Sequence, residues 1–371
     1  MRNIFESTDA FEAWMRKRTD VSKRLLKKKH SQMADGPFPF LRSTFYRWAE
    51  RWSKVCPELA ERAEDVLLAV GDLHVANFGV WSDSRKRQVW GVNDFDEACE
   101  LAFTSDLVRL ATSALLAAAE AKIDVEPNQV CDPLLAGYRA GLRACQPILV
   151  TGRHPALVTL TRRTREDPKA FWKKKLDPKN NPTVDARELP RGLEHMFRAS
   201  FRPGANLTFL EQRSPGGLGS LGRRRFTAVE TRKGVHDARE AKALVPSALY
   251  WWTEQDDMPS QTATLLQHAV RIPDPYFQVH DHWLIRQLAP DIAKIEMPHP
   301  KDRRLALAPH LLRLMGRETA NIHLVSPTNQ DLAERLGNLA QHLRGWFPAA
   351  PDRMVASVRQ DHAKWAERHR D

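Results

Sequence analysis

Acidic and amide side chains follow two short apolar segments of the sequence. Asp72 comes directly after the apolar run Val66–Val70, and Asn77 lies in the same predicted loop. The segment 88–92 (QVWGV) is a second predicted strand, and it also ends in acidic residues. Two strand ends joined by one hairpin would bring four oxygen-bearing side chains together: Asp72, Asn77, Asp94 and Asp96. Such ligands suit Mg²⁺, which takes few protein ligands and keeps positions open for phosphate.

The same residues also have a structural explanation. Asp and Asn are common in turns because their side chains hydrogen-bond to nearby backbone N–H groups. A single Gly-Asp or Asn-Asp pair therefore predicts only a turn. Two such clusters, each after an apolar β-like run, favour a metal and phosphate site.

Charge and length restrict the class of protein only loosely. The chain has 371 residues, and 57 Lys and Arg exceed 46 Asp and Glu by 11. This length allows two domains or one large two-lobed domain. The basic balance is compatible with nucleic acid, acidic membranes or phosphorylated ligands, but no recognisable nucleic-acid-reading module is present.

Cysteine spacing and hydropathy predict a cytoplasmic protein. The four cysteines form no CxxC pair, which argues against a disulfide framework or a zinc site. The charged N-terminus lacks the apolar core of a signal peptide. No stretch approaches the roughly 20 apolar residues that a membrane span needs.

Helical periodicity is present before the acidic region. Residues 8–30 and 38–52 are predicted to be helices with one apolar side each. The basic run Lys27-Lys28-Lys29 either contacts phosphates or forms a solvated face. Arg42 likewise pairs with a phosphate or with a surface acid.

Helices are also predicted after the acidic region. Residues 101–123, with an Ala/Leu face, and residues 134–147 continue as helix, and the chain is helical again beyond Pro298. Residues 150–200 are rich in charged residues and proline, which predicts an irregular excursion.

The sequence changes character near residue 205. NLTFLEQR, SPGGLGSLG and RRRFTAVETRKG are typical of a strand, a glycine-rich turn and a strand, and the glycines at 217, 219 and 222 match GxGxxG. In a dinucleotide-binding fold this turn opens a helix, whereas here a strand follows. Kinases use a strand–glycine loop–strand hairpin to place backbone N–H groups over nucleotide phosphates.

A lysine on the next strand should then reach the phosphates. Lys242 is the best placed, with Lys233 and Lys294 as alternatives. Residues 276–279 and 282–288 predict another hairpin. In a kinase-like small lobe, the backbone of its second strand would lie at the hinge beside the adenine.

Six segments together resemble a bacterial family of unknown function called DUF2252. In order from about residue 28, they are KKKHSQMADGPFPFLR, VGDLHVANFG, VNDFDEA, GGLGSLGRRRF, EAKALVPSA and LIRQLAPDIAK. Two departures are mild: Ser43 follows Phe-Leu-Arg where the family usually has glycine, and the lysine block reads EAKAL rather than VKEA.

That family is in turn similar to the protein-kinase-like and aminoglycoside-phosphotransferase group, whose catalytic loop reads H-G-D-x-x-x-x-N. The resemblance implies an α+β, two-lobed fold with a helix-rich large lobe and a small antiparallel β-sheet lobe. It makes Asp72 the base that orients the acceptor hydroxyl, and Asn77 and Asp94 the magnesium ligands, with Asp96 as a further metal candidate. The other implied residues are Gly217, Gly219, Ser220, Gly222 and Lys242 at the phosphates, Arg286, Gln287 and Leu288 at the adenine, and His74 and Arg42 beside the metal and phosphates.

The order of these motifs differs from that of kinases. Kinases place the glycine loop and the lysine before the catalytic loop, whereas here they follow it. Either the nucleotide lobe is circularly permuted, which we favour, or the glycine loop is incidental. We expect residues 1–200 to form N-terminal helices and the catalytic part of the large lobe, 201–298 the nucleotide-binding lobe, and 299–371 helices that return to the large lobe.

The favoured function is therefore an ATP- and Mg²⁺-dependent phosphotransferase that acts on an unknown small-molecule or protein acceptor, with nucleotidyl transfer as a variant. A nucleotide-binding or scaffolding pseudokinase is the main alternative, and the joint presence of Asp72, Asn77 and Asp94 argues against it. A metallophosphoesterase also begins with a strand followed by D-x-H, as in Asp72-Leu73-His74. This chain lacks the later GNH and GHxH motifs of that class.

Overall fold

The structure is a computed structural model that describes residues 2–60, 66–213, 222–292, 300–324, 330–342 and 347–369. It is a mixed α+β protein, as the sequence predicts, and every strand pair in these residues is antiparallel. Within the same ranges, no helix combines the length and the apolar character that crossing a membrane requires.

Five helices precede the acidic region. They are α1 (Ile4–Arg16), α2 (Lys23–Ala34), α3 (Pro37–Ser43), α4 (Phe45–Val55) and α5 (Pro57–Ala60). The single helix predicted over 8–30 is wrong, because the first helix ends with α1 and a second helix begins with α2. The Ser22 hydroxyl caps α2 by accepting the N–H of Leu25. The helix predicted over 38–52 is interrupted at Thr44, whose hydroxyl bonds back to the Phe40 carbonyl.

Two small sheets carry the acidic region. The first pairs β1 (Val66–Ala69) with β4 (Cys99–Ala102), and the second joins β2 (Phe78–Ser82), β3 (Gln88–Val92) and β5 (Ile148–Leu149). The strands predicted at 66–70 and 88–92 are thus present, joined through the hairpin of β2 and β3.

The middle of the chain is more regular than the sequence suggests. After α6 (Phe103–Glu120) and α7 (Pro127–Arg143) come α8 (Pro155–Thr164), α9 (Pro168–Lys175), β6 (Thr183–Val184) and α10 (Leu193–Ala199). The irregular excursion predicted over 150–200 is therefore wrong. Prolines that resemble helix breakers in the sequence occupy the first helical turns of α8 and α9, where a missing N–H costs no hydrogen bond.

A six-stranded sheet follows, and β6 is its first strand. The other strands and the two helices inserted between them are β7 (Leu207–Glu211), β8 (Arg225–Arg232), β9 (Val235–Ala243), α11 (Ala248–Trp252), α12 (Thr262–His268), β10 (Gln278–His280) and β11 (Trp283–Leu288). The strand order in the sheet is β10-β11-β9-β8-β7-β6. One face is apolar, with Phe226 and Ile285, and packs against Phe197 of α10. Because side chains alternate along a strand, Arg225, Glu240 and Lys242 share the opposite face.

Four helices end the described part of the chain, and the last of them packs against the first helices. The four are α13 (Pro300–Ala306), α14 (Pro309–His323), α15 (Gln330–His342) and α16 (Ala349–Arg368). Asp361 of α16 accepts a hydrogen bond of 2.7 Å from Arg47 of α4. α14 lies directly against α7, and a Cβ atom at Gly316 would be 2.0 Å from the Leu134 carbonyl oxygen.

Replacing Gly316 by alanine is expected to destabilise the protein by about 1–3 kcal/mol or more, because the added methyl group meets rigid backbone of α7. Gly337→Ala on α15 is the matched control, since no described atom lies within 4 Å of the position that its Cβ atom would take. Alanine is the better helix former by roughly 0.5–1 kcal/mol, so the control should be neutral or stabilising. Urea unfolding of the two variants measures the difference. Equal stabilities would contradict the close packing of α7 and α14.

Candidate functional site

One face of α6 holds the loop that follows β1. The buried Asp106 carboxylate accepts the backbone N–H groups of Val70 and Gly71 at 2.8 and 2.9 Å. Its Oδ2 also lies 3.1 Å from Nε2 of His323 on α14. Two turns further along α6, the Ser113 hydroxyl accepts the N–H of Val75 at 3.0 Å. The backbone on both sides of Asp72 is therefore fixed from a single helix.

Gly71 allows the sharp turn before Asp72. Its φ is +76°, in the left-handed region that favours glycine. A Cβ atom there would lie 2.2 Å from the Glu97 carbonyl oxygen, so the two acidic segments approach each other at this residue.

Arg109 of α6 binds the Asp72 carboxylate. Its Nε donates to Asp72 Oδ1 at 3.0 Å, and its Nη2 donates to the same oxygen and to the Leu41 carbonyl. Arg109 is fully buried and lies over the rings of Phe45 and Trp48, with 5.2 and 5.0 Å to the ring centroids. Burial raises the pKa of the Asp72 carboxyl to about 6, and the attraction of Arg109 opposes this rise.

The predicted oxygen ligands meet at one cleft. Asn77 donates its Nδ2 to the Asp72 carbonyl, and its own carbonyl accepts the N–H of Asn93 at 3.0 Å. The ends of β1 and β3 are thereby joined. Asp72, Asn77, Asp94 and Asp96 all line the same cleft.

The six-stranded sheet reaches these acids through two cations. Lys242 of β9 places Nζ 3.3 Å from Asp94 Oδ1 and also contacts Asp96. Arg223, just before β8, lies 3.2 Å from Asp96 Oδ2. Burial lowers the pKa of the Lys242 ammonium to about 8, against the attraction of Asp94 and Asp96.

The empty space between the side chains of the cleft is about 430 Å³ when the open solvent at its mouth is included. Its lining combines acids, cations and aromatic rings: Phe11, Lys29, Arg42, Ser43, Phe45, Tyr46, Asp72, Asn77, Asp94, Asp96, Glu97 and Arg223.

The donor set is chemically suited to magnesium. With Nδ2 of Asn77 bonded to the Asp72 carbonyl, its Oδ1 is left for a cation. Asp96 Oδ1 is buried and accepts no hydrogen bond from the described residues. Within the described ranges, no three His, Cys, Asp or Glu side chains are grouped to hold a metal. Two carboxylates and one amide therefore fit Mg²⁺ only together with further oxygen ligands, from water or from a phosphate.

The glycine-rich segment is described only at its end. Gly217, Gly219 and Ser220 lie outside the described residues, as does the alternative lysine, Lys294. Gly222 has a φ of +112°, and its carbonyl accepts the N–H of Ser22 at 2.9 Å. The segment thus ends against α2, one residue before Arg223 enters the cleft.

The other predicted residues are more dispersed. His74 is buried, with Nε2 3.9 Å from Asp72 Oδ2, and Arg42 lines the cleft. Arg286 binds Glu240 at 2.7 Å on the charged face of the sheet. Leu288 packs with the apolar cluster of Leu210, Val229 and Ala238, and Gln287 pairs with Arg239 in the register of β11 and β9. Of the described residues that line the cleft, none comes from β11.

Several residues of the site were not predicted. The sequence does single out Asp106 and Arg109, because they are the only charged residues before Glu120 in the Ala/Leu-rich stretch 101–123. Glu97 accepts the N–H of Ala248 at 2.7 Å, and burial raises its pKa to about 7. Sequence spacing offered no signal for the aromatic rings of Phe11 and Tyr46.

Comparison with known proteins gives one match. Residues 21–169 match the family DUF2252, described as an uncharacterized protein conserved in bacteria. No curated protein and no solved structure matches the chain. Over the matched residues, which contain Asp72, Asn77, Asp94, Asp96 and Arg109, the chain is similar to this bacterial family.

Proposed function

We propose that the protein is an ATP- and Mg²⁺-dependent phosphotransferase with a kinase-like, circularly permuted arrangement of two lobes. The observation that carries this proposal is the position of Lys242. Its Nζ lies 3.3 Å from Asp94, although 148 residues separate the two in sequence. A lysine from the strand after the glycine-rich segment thus meets the acids that follow β3, as the resemblance to kinases implies.

Phosphoryl transfer depends mainly on positioning and on charge neutralisation. Lys242 supplies a positive charge at the end of the cleft that holds Asp94 and Asp96. Asn77, Asp94 and Asp96 would hold magnesium, which neutralises phosphate charge when it is bound. The resemblance also assigns the glycine-rich segment to the phosphates, although Gly217, Gly219 and Ser220 lie outside the described residues.

Asp72 would orient the acceptor hydroxyl and accept its proton. Arg109 binds one oxygen of the Asp72 carboxylate, and Asp72 lines the cleft. With a pKa of about 6, the carboxyl is mainly ionised at neutral pH yet more basic than an ordinary aspartate. This combination suits a general base.

A catalytically inactive nucleotide-binding protein is the second candidate, and one contact favours it. Lys242 binds Asp94 and Asp96 directly, so a metal ion would compete with its ammonium for the same carboxylates. The hydrolase alternative has less support, since a two-metal site needs several histidines and His74 is the only histidine near Asp72 among the described ion pairs.

The first prediction from this proposal concerns binding. ATP with Mg²⁺ is expected to raise the Tm by a few degrees at saturation, because a ligand that binds only the folded state stabilises it. ATP with EDTA should give a smaller rise, since the carboxylates then repel the phosphates. A thermal-shift titration measures both. Equal shifts with and without Mg²⁺ would argue against a metal–nucleotide site.

The second prediction concerns turnover. Asp72→Asn should lower Mg²⁺-dependent ADP release from ATP by about 10²- to 10⁴-fold, the usual contribution of a general base. Asp361→Asn is the matched control, because Asp361 also forms a buried pair with an arginine, Arg47. Both variants should lose roughly 3 kcal/mol of stability through the broken pair, but only Asp72→Asn should lose turnover. Full turnover in Asp72→Asn would remove Asp72 from the mechanism.

The third prediction concerns pH. Since a base must be deprotonated, kcat/KM for ATP should rise as the pH increases through about 6, the raised pKa of the buried Asp72. It should fall again as the pH passes about 8 and the buried Lys242 loses its charge. A pH–rate profile of the wild-type protein tests both limbs. An acidic limb centred near 4, as for an exposed aspartate, would be inconsistent with this assignment.

A further inference from the structure

Helix α2 buries one lysine of a run of three. Lys27 and Lys28 are exposed, whereas Lys29 is 3% exposed and lines the cleft. Within the described residues, no hydrogen bond or ion pair is made to its Nζ, and the nearest ring, that of Tyr46, has its centroid 5.7 Å away. A cation–π contact with Tyr46 offsets little of the cost of burying an ammonium, so the position of Lys29 at a cleft points to an anion that binds there.

The described charged side chains around Lys29 affect its ammonium group without forming an ion pair with it. Glu12 and Arg223 face it from α1 and from the start of β8, and Glu97 and Asp72 face it from the acidic loops. Burial is the main influence and lowers the pKa of the Lys29 ammonium. Glu12 is itself bound by Arg16 at 3.1 Å and His30 at 2.6 Å. Its carboxylate is therefore engaged elsewhere.

The two buried lysines of the site lie beside different acids. Lys242 contacts Asp94 and Asp96, the proposed metal and nucleotide side. Lys29 instead lines the cleft together with Asp72 and Glu97, and Glu12 of α1 is the acid whose charge affects it most. The positive charge of Arg42 also lowers the pKa of the Asp72 carboxyl. Lys29 and Arg42 are thus associated with the base, which is where the acceptor must place its hydroxyl.

We propose that the acceptor is a small anionic hydroxyl compound, whose phosphate or carboxylate group is bound by Lys29 and Arg42 while its hydroxyl lies at Asp72. This inference rests on the proposed function. The aromatic rings of Phe11, Phe45 and Tyr46 form the rest of this wall and suit the carbon skeleton of such a molecule.

The proposed transfer conserves atoms and electrons. The acceptor oxygen forms a bond to the γ-phosphorus of ATP, and the bond from that phosphorus to the oxygen bridging to the β-phosphate breaks. The electron pair leaves with ADP, and the acceptor proton goes to Asp72. The anionic group bound by Lys29 and Arg42 takes no part in these changes and only positions the acceptor.

Isothermal titration with simple probes tests the proposal. The probes are glycerol 3-phosphate, glycerate and uncharged glycerol, together with Mg²⁺-ATP, and the variants are Lys29→Met and the exposed neighbour Lys28→Met. We expect the wild-type protein and Lys28→Met to bind at least one of the two anions and not glycerol. Lys29→Met should bind that anion about tenfold more weakly or worse, with unchanged affinity for Mg²⁺-ATP. Since methionine removes a buried charge at similar length, Lys29→Met should unfold at the wild-type temperature or above it.

Three results would overturn the proposal: neither anion binds the wild-type protein, Lys29→Met binds the anion as tightly as the wild-type protein does, or Lys29→Met loses affinity for Mg²⁺-ATP, which would place Lys29 on the nucleotide side. The wild-type comparison of charged and uncharged probes does not depend on any variant. Binding of an anion through Lys29 without any binding of Mg²⁺-ATP would refute the phosphotransferase and leave the anion site standing.

Discussion

The buried carboxylate of Asp106 is the interaction on which the site depends. It accepts two backbone N–H groups at the point where β1 ends, and it also meets His323 of α14. Its side chain and that of His323 are fully buried. Water cannot replace these bonds in the interior, so the chain has one low-energy path from β1 into the acidic loop. Asp72 follows directly after Gly71, and its position is a consequence of that path.

The same helix face links the acidic loop to the N-terminal helices. Asp106, Arg109 and Ser113 are spaced three and four residues apart, which places them on one side of α6. Arg109 binds Asp72 on one side and the Leu41 carbonyl of α3 on the other. Asp72 and the wall that carries Arg42 are therefore held by one guanidinium. A shift of α3 relative to α6 would therefore break the hydrogen bond between Arg109 and the Leu41 carbonyl.

The features that depend on local sequence pattern could be predicted, whereas the features that depend on tertiary packing could not. The strand exits at Asp72 and Asp94 follow from apolar runs that end at turn-forming residues, and the structure has both strands. The break between α1 and α2 was missed because the basic run masks the cap at Ser22. Strand β4 was missed because its apolar residues continue without interruption into α6. For Lys29, a run of three lysines is normally solvated, and only the packing of α2 distinguishes the third from its neighbours.

The balance of charge in the cleft favours anionic ligands. Among the described residues, four carboxylates line it: Asp72, Asp94, Asp96 and Glu97. Five cations line it or contact those acids: Lys29, Arg42, Arg223, Arg109 and Lys242. Burial raises the pKa of Glu97 to about 7 and lowers the pKa of Lys242 to about 8, so both groups lose part of their charge near physiological pH. A divalent metal would add positive charge to the cleft. The ligands proposed above, a nucleotide triphosphate and an anionic acceptor, would supply the negative charge that balances it.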